Sequence, residues 1–130
     1  FNHMAELARD VVKFVRDKAK SRYRKGFECE ICGERENLDF HHFYSLTLLL
    51  NKWLRSRQIS PEDILDVRDE FIYEHDDELF HATATLCHAH HLKLHSIYGK
   101  APALGTAKKQ ARWVGLQKEK FECQNGTSSA

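Results

Sequence analysis

Cys29, Cys32, Cys87 and His90 stand in two pairs of identical spacing, Cys-x-x-Cys and Cys-x-x-His, and further imidazoles crowd beside them, His41-His42 and His91 with His95. Each spaced pair puts two soft ligands on one knuckle, and four such ligands complete the closed tetrahedral shell of a structural Zn2+. The remaining histidines have the chemistry for a second, catalytic divalent ion, because incomplete ligation leaves positions for water and substrate. The expectation is therefore two nested metal sites. Disulfide pairing of the four cysteines is disfavoured by the short spacings and neighbouring histidines, which suit metal binding in a reducing compartment. Cys123 has no second ligand at knuckle spacing and is expected to be a free exposed thiol.

Local geometry divides the histidines between the two sites. His91 and His95 are four residues apart, so on a helix they share one face with β-carbons about 5–6 Å apart. His90 lies about 100° around that helix and is free to serve the other metal. A strand ending in His41-His42 throws those side chains to opposite faces. Only one of them can join the helical pair. The other is left as an imidazole whose ordinary pKa near 6.5 suits proton abstraction from water.

The elements that must position these groups can be read from pattern. Residues 5–24 place Leu7, Val11, Phe14, Val15 and Ala19 on one face at the helical period, with Gly26 as the stop. A knuckle over 27–33 leads to a short strand over 37–43 that ends on the histidine pair. Residues 44–58 form an apolar helix, and a second helix starts at Ser60 with Pro61 in its first turn and runs to about Tyr73. Residues 79–86 have strand composition and lead into the second knuckle, 88–97 reads as a helix, and a last basic helix spans 106–121 with Trp113, Leu116 and Phe121 as its apolar contacts. The fold class is α+β, mostly helical, in a single domain over 4–123 with frayed ends at 1–3 and 124–130.

A net charge of +1 hides segregation along the chain. Residues 1–25 hold eight Lys and Arg against three acids and residues 93–120 hold seven against one, whereas 26–92 hold five against fourteen. Basic arms around an acidic, histidine-rich centre fit a polyanion gripped at its edges while cations sit in the middle. No apolar run approaches the length of a membrane span and the start lacks a secretory signal, so the expected location is intracellular, in the cytoplasm.

The stretches Cys29-Glu-Ile-Cys32, Leu38-Asp-Phe-His41-His42 and Leu86-Cys87-His-Ala-His90-His91-Leu-Lys-Leu-His95 resemble the zinc-knuckle subclass of HNH endonucleases, phage or mobile-element proteins with a ββα-metal fold. The resemblance implies a ββα-metal core over 27–43 and 79–97, a two-helix insertion at 44–78, and flanking basic helices. It also implies His42 as general base, His41, His91 and His95 as ligands of the catalytic ion, and Cys29, Cys32, Cys87 and His90 as the structural zinc site. Members of the subclass usually carry cysteine where His90 stands, a swap that zinc accepts. The family's middle Asn falls at Ala82, so either His81, Asn37 or Asn51 supplies the brace or the chain is an inactivated variant.

The implied function is hydrolysis of DNA phosphodiester bonds with one metal ion, which could be magnesium, manganese, nickel or zinc. Lys13, Arg16, Lys20, Arg24, Arg55, Arg57, Lys93, Lys108, Lys109 and Arg112 are the candidate phosphate contacts. The competing readings are a zinc-stapled nucleic-acid-binding module without cleavage and a nuclease subunit active only in a larger complex. The sequence leaves open whether the protein is a homodimer and whether one strand or both are cut.

Overall fold

The computed structural model describes residues 2–124, with side chains from residue 10 onward; the remainder of the expected frayed ends, and the contribution of Leu7 to its helix face, lie outside the described residues. Helix α1 (Asn2–Lys20) is followed by the knuckle, strand β1 (Leu38–His42), helices α2 (Leu46–Ser56) and α3 (Ile64–Glu74), strand β2 (Thr83–Cys87), and helices α4 (His88–Tyr98) and α5 (Ala107–Gln124). Among the described residues the fold is mostly helical, with one small antiparallel sheet.

The sheet pairs Leu38 with Cys87 and His42 with Thr83, and Phe43 N donates to Ala82 O at 3.1 Å to continue the pairing one step. The knuckle is stitched to the outer edge of β2. Glu30 N donates to Thr85 O at 2.9 Å, and the Glu30 carboxylate accepts from Thr85 N at 2.8 Å. Glu30, although exposed, thus braces the knuckle against β2.

Two apolar cores flank the sheet. Val11, Val12, Val15 and Ala19 of α1 pack with Leu49, Leu50 and Trp53 of α2, Phe71 and Ile72 of α3, and Leu79. Cys29, Ile31, Leu86, Leu94 and Val114 form the second core beneath the knuckle, α4 and α5, and Tyr44 packs against both. Polar caps fix the helix starts: Ser45 Oγ accepts from Leu48 N at 3.4 Å and Ser60 Oγ accepts from Glu62 N at 3.4 Å.

Several expectations need correction. Helix α1 stops at Lys20, where Arg22 N and Tyr23 N turn back onto the carbonyls of Ala19 and Lys20. Gly26 does not terminate it. Its N–H donates to Thr85 Oγ1 at 2.7 Å, and a β-carbon there would come within 3.3 Å of that oxygen, so Gly26 serves close approach of the chain to β2. Phe14 and Leu116, expected on buried faces, are 46% and 48% exposed. The strand expected from 79 begins only at Thr83; a π-helical turn, Asp77–His81, precedes it and is closed by Ala82 N on Asp77 O at 2.8 Å. That wide turn buries Leu79 in the first core while Phe80 packs beside Tyr23. The second insertion helix opens with a short 3-10 turn, Pro61–Asp63.

Candidate metal centre and catalytic cleft

The knuckle pair and the start of α4 bring Cys29, Cys32, Cys87 and His90 together, with all four ligand atoms within 4.8 Å of one another. The Cys32 and Cys87 sulfurs are 3.9 Å apart and Cys87 Sγ lies 3.2 Å from His90 Nδ1. A tetrahedral zinc shell with Zn–S near 2.3 Å needs sulfur pairs separated by about 3.8 Å, so the donor set fits that ion. Burial raises the Cys29 thiol, but backbone N–H groups of Cys87, Cys32 and Ile31 outweigh it and hold its pKa below the ordinary thiol value. The neighbouring Cys32 is pushed up to about 11 by burial and by the Cys29 sulfur. A cation bound among the sulfurs would favour ionisation of both together.

The second group is His41, His91 and His95, again within 4.8 Å. His41 Nδ1 and His91 Nε2 are 3.1 Å apart, and His91 Nε2 and His95 Nε2 are 3.0 Å apart. The outer nitrogens decide the tautomers. His91 Nδ1 lies 3.0 Å from Asp39 Oδ2 and His95 Nδ1 lies 2.7 Å from the Gly99 carbonyl, both of which only accept. His41 Nε2 is 2.8 Å from Gln110 Oε1, and the Gln110 amide nitrogen is fixed by donating to Phe43 O at 3.1 Å and Thr106 Oγ1 at 2.9 Å. All three outer nitrogens must therefore carry the protons. Three imidazole lone pairs consequently face one another across about 3 Å, an arrangement that repels itself unless a cation sits among them. Burial pushes the His41 pKa down to about 4 and also lowers that of His91, so both are neutral ligands near pH 7.

His42 points to the other face of β1, as strand alternation requires, and remains outside this trio. Its ring packs against Tyr23 and Phe40, with centroids 4.8 and 5.1 Å away. Nε2 is buried without a hydrogen-bond partner, and the nearby Leu79 backbone favours the protonated ring. Burial lowers the pKa of His42, and the Arg16 charge lowers it further. The result is a neutral imidazole with a free lone pair. None of the expected substitutes for the missing Asn stands beside it: His81 is exposed and pairs with Asp76, Asn51 is exposed, and Asn37 offers its carbonyl to His88 N. Leu79, in the π-helical turn, is the residue whose backbone influences His42.

Both faces of β1 reach one cleft of about 420 Å³ lined by His41, His42, His91 and His95 together with Arg16, Lys20 and Lys100. Of the candidate phosphate contacts, Arg16 and Lys20 line this cleft, and Arg24 lines a neighbouring one. Lys13, Arg55, Lys93, Lys108, Lys109 and Arg112 are exposed but lie outside its walls. Arg57 is committed elsewhere, to Glu70 at 3.0 Å and Glu74 at 2.5 Å. Sequence reasoning missed Gln110, Asp39, Tyr23 and Lys100. Asp39 carried a signal, since it sits two residues before His41 on the same strand face; Gln110 carried none.

A model of the phage T5 nicking endonuclease family, described as the nicking endonuclease family, matches residues 2–129. The chain belongs to the nicking endonuclease family. This phage nuclease is accordingly an endonuclease with DNA as its substrate. No solved structure matches it. Among the described residues, no helix is long and apolar enough to cross a membrane.

Proposed function

We propose that the protein is a metal-dependent HNH-type endonuclease built on a ββα-metal core of β1, β2 and α4, with a structural zinc site and one catalytic ion. The observation that carries this is the set of three imidazoles whose outer nitrogens are anchored to Gln110, Asp39 and Gly99, turning their lone pairs together in a cleft that His42 also lines. Cys29, Cys32, Cys87 and His90 would hold the zinc, which ties the knuckle to α4. His41, His91 and His95 would hold the catalytic ion, which when bound supplies Lewis-acid neutralisation of the phosphate charge.

His42, which lines the cleft, takes a proton from a water there, and the water oxygen attacks the phosphorus in line with the departing 3′ oxygen. The P–O3′ bond breaks, leaving a 5′ phosphate on one side and, after the departing oxygen takes a proton from solvent, a 3′ hydroxyl on the other. Arg16, Lys20 and Lys100 line the cleft and draw backbone phosphates into it, giving affinity that falls with salt and reads little sequence.

The test is conversion of supercoiled plasmid to open circle with Mg2+, Mn2+ or Ni2+, comparing the chain with His42→Ala. Loss of nicking by at least about 100-fold with folding and DNA binding intact is expected. Nicking by the variant at the wild-type rate would overturn the role of His42, and DNA binding without cleavage under every ion would favour the non-cleaving module.

A further inference from the structure

Beyond the Tyr23 ring a second cleft of about 470 Å³ opens, and Tyr23 forms a wall of both. Arg22, Arg24, Phe80, Asp76 and His81 complete its lining. The Arg22 guanidinium lies 4.1 Å over the Phe80 ring and donates to Asp76 Oδ1 at 2.8 Å. The other oxygen of that carboxylate is taken by His81 Nε2 at 3.2 Å. Asp76, Asp77 and His81 could by spacing hold a cation, but the charge of Arg22 on Asp76 opposes one.

The cleft is better suited to an acceptor. A guanidinium has five N–H donors in a planar fork, and Asp76 occupies only one edge. Stacking on Phe80 and pairing with Asp76 hold the plane still, so less side-chain freedom is lost when the remaining donors meet a ligand. The ligand chemistry that fits is two adjacent acceptor atoms, such as the non-bridging oxygens of a phosphate or the O6/N7 edge of guanine. Ring steps of 4.8 Å from His42 to Tyr23 and 5.9 Å from Tyr23 to Phe80, with a further 4.1 Å to the Arg22 guanidinium, place this fork at most about 15 Å from the proposed base. That is within about five nucleotides at 3.4 Å per step along one strand.

We infer that this second cleft is a subsite for a nucleotide flanking the cut on the DNA strand, with Arg22 as its fixed donor. The inference rests on the reading of the histidine cleft as the place of cleavage. Arg22→Lys keeps the charge but removes the fork, and Asp76→Asn releases the fork while keeping its size. Nick positions are mapped by sequencing 5′ ends on a plasmid, and KM, kcat and the salt dependence of binding are measured on a duplex oligonucleotide, with circular dichroism confirming the fold. For Arg22→Lys we expect KM to rise about tenfold, more than kcat falls, with a smaller change in the same direction for Asp76→Asn. Loss of a base preference at one position of the map identifies guanine. An unchanged map with a raised KM identifies a phosphate, because a backbone contact reads no base. Wild-type map, KM and salt slope in both variants would overturn the subsite. Failure of the catalytic reading would show separately, as cleavage that survives His42→Ala.

Discussion

Gln110 offers the sharpest test of the histidine site, because it lies outside every recognisable motif yet determines which nitrogen of His41 faces inward. It is fully buried on α5, and its amide makes three hydrogen bonds, to His41, Phe43 and Thr106. In Gln110→Leu the His41 Nε2–H, itself 3% exposed as a residue, loses its acceptor. Leaving such a donor orphaned costs about 1–3 kcal/mol, and the imidazole can relieve this by moving its proton to Nδ1. Nδ1 is the atom turned toward His91 and His95, so relief of the orphan removes a lone pair from the trio. Loss of an outer partner of a metal-ligating histidine typically weakens the ion about 10- to 100-fold. The assay is calorimetric titration of the zinc-loaded protein with Mn2+ or Ni2+, with zinc content measured in parallel and histidine tautomers followed by nitrogen NMR. Weaker binding of the titrated ion with zinc stoichiometry unchanged is the expected outcome. A folded Gln110→Leu protein that binds the titrated ion as tightly as wild type, with His41 still protonated at Nε2, would refute the tautomer argument. Gln110→Glu keeps an acceptor for His41 and should recover much of the affinity.

Three further outcomes follow from the same geometry. Burial lowers the pKa of His42, so the base is neutral and fully competent above about pH 6.5 and is lost as pH falls through its lowered folded value; the acidic limb of kcat/KM should lie below pH 6.5, and a limb centred above pH 7 would contradict the assignment. Cys32→Ser, or strong chelation, should abolish tight zinc binding and lower the melting temperature, because the clasp joins the knuckle to α4; a melting curve indifferent to chelator would remove the structural role. Arg16→Ala and Lys20→Ala should each weaken DNA binding and reduce its salt slope by about one, whereas Arg57→Ala, ion-paired to Glu70 and Glu74 and itself exposed, should leave the slope unchanged, as read by binding across a salt series.

Much of the site was legible because its spacing is local. Two ligands three residues apart converge on any knuckle or helix turn, and His91 and His95 share a face on any helix, so the expected groupings needed no knowledge of the remainder. Strand alternation likewise separates His41 from His42. Less legible were the places where two local preferences compete. The run Leu79 to Ala82 has strand composition, yet burying Leu79 in the first core while Phe80 packs beside Tyr23 favours a π-helical turn that alternation cannot express. Gly26 has the usual appearance of a helix stop, but its role is set by Thr85, which lies 59 residues away.

By itself the amino-acid order determined the candidate ligand types, their grouping into a sulfur-rich and an imidazole-rich set, and most of the helices and strands that carry them, since each depends on contacts within a few residues. Only the tertiary structure decided which nitrogens of the three imidazoles face one another, which of the basic residues reach the cleft, and that neither His81 nor Asn51 stands beside His42. Those depend on partners such as Gln110, 69 residues from His41, and on ion pairs that withdraw Arg57 from the candidate set. A hydrogen bond between distant residues leaves no periodicity in the chain, so its existence is fixed by packing alone.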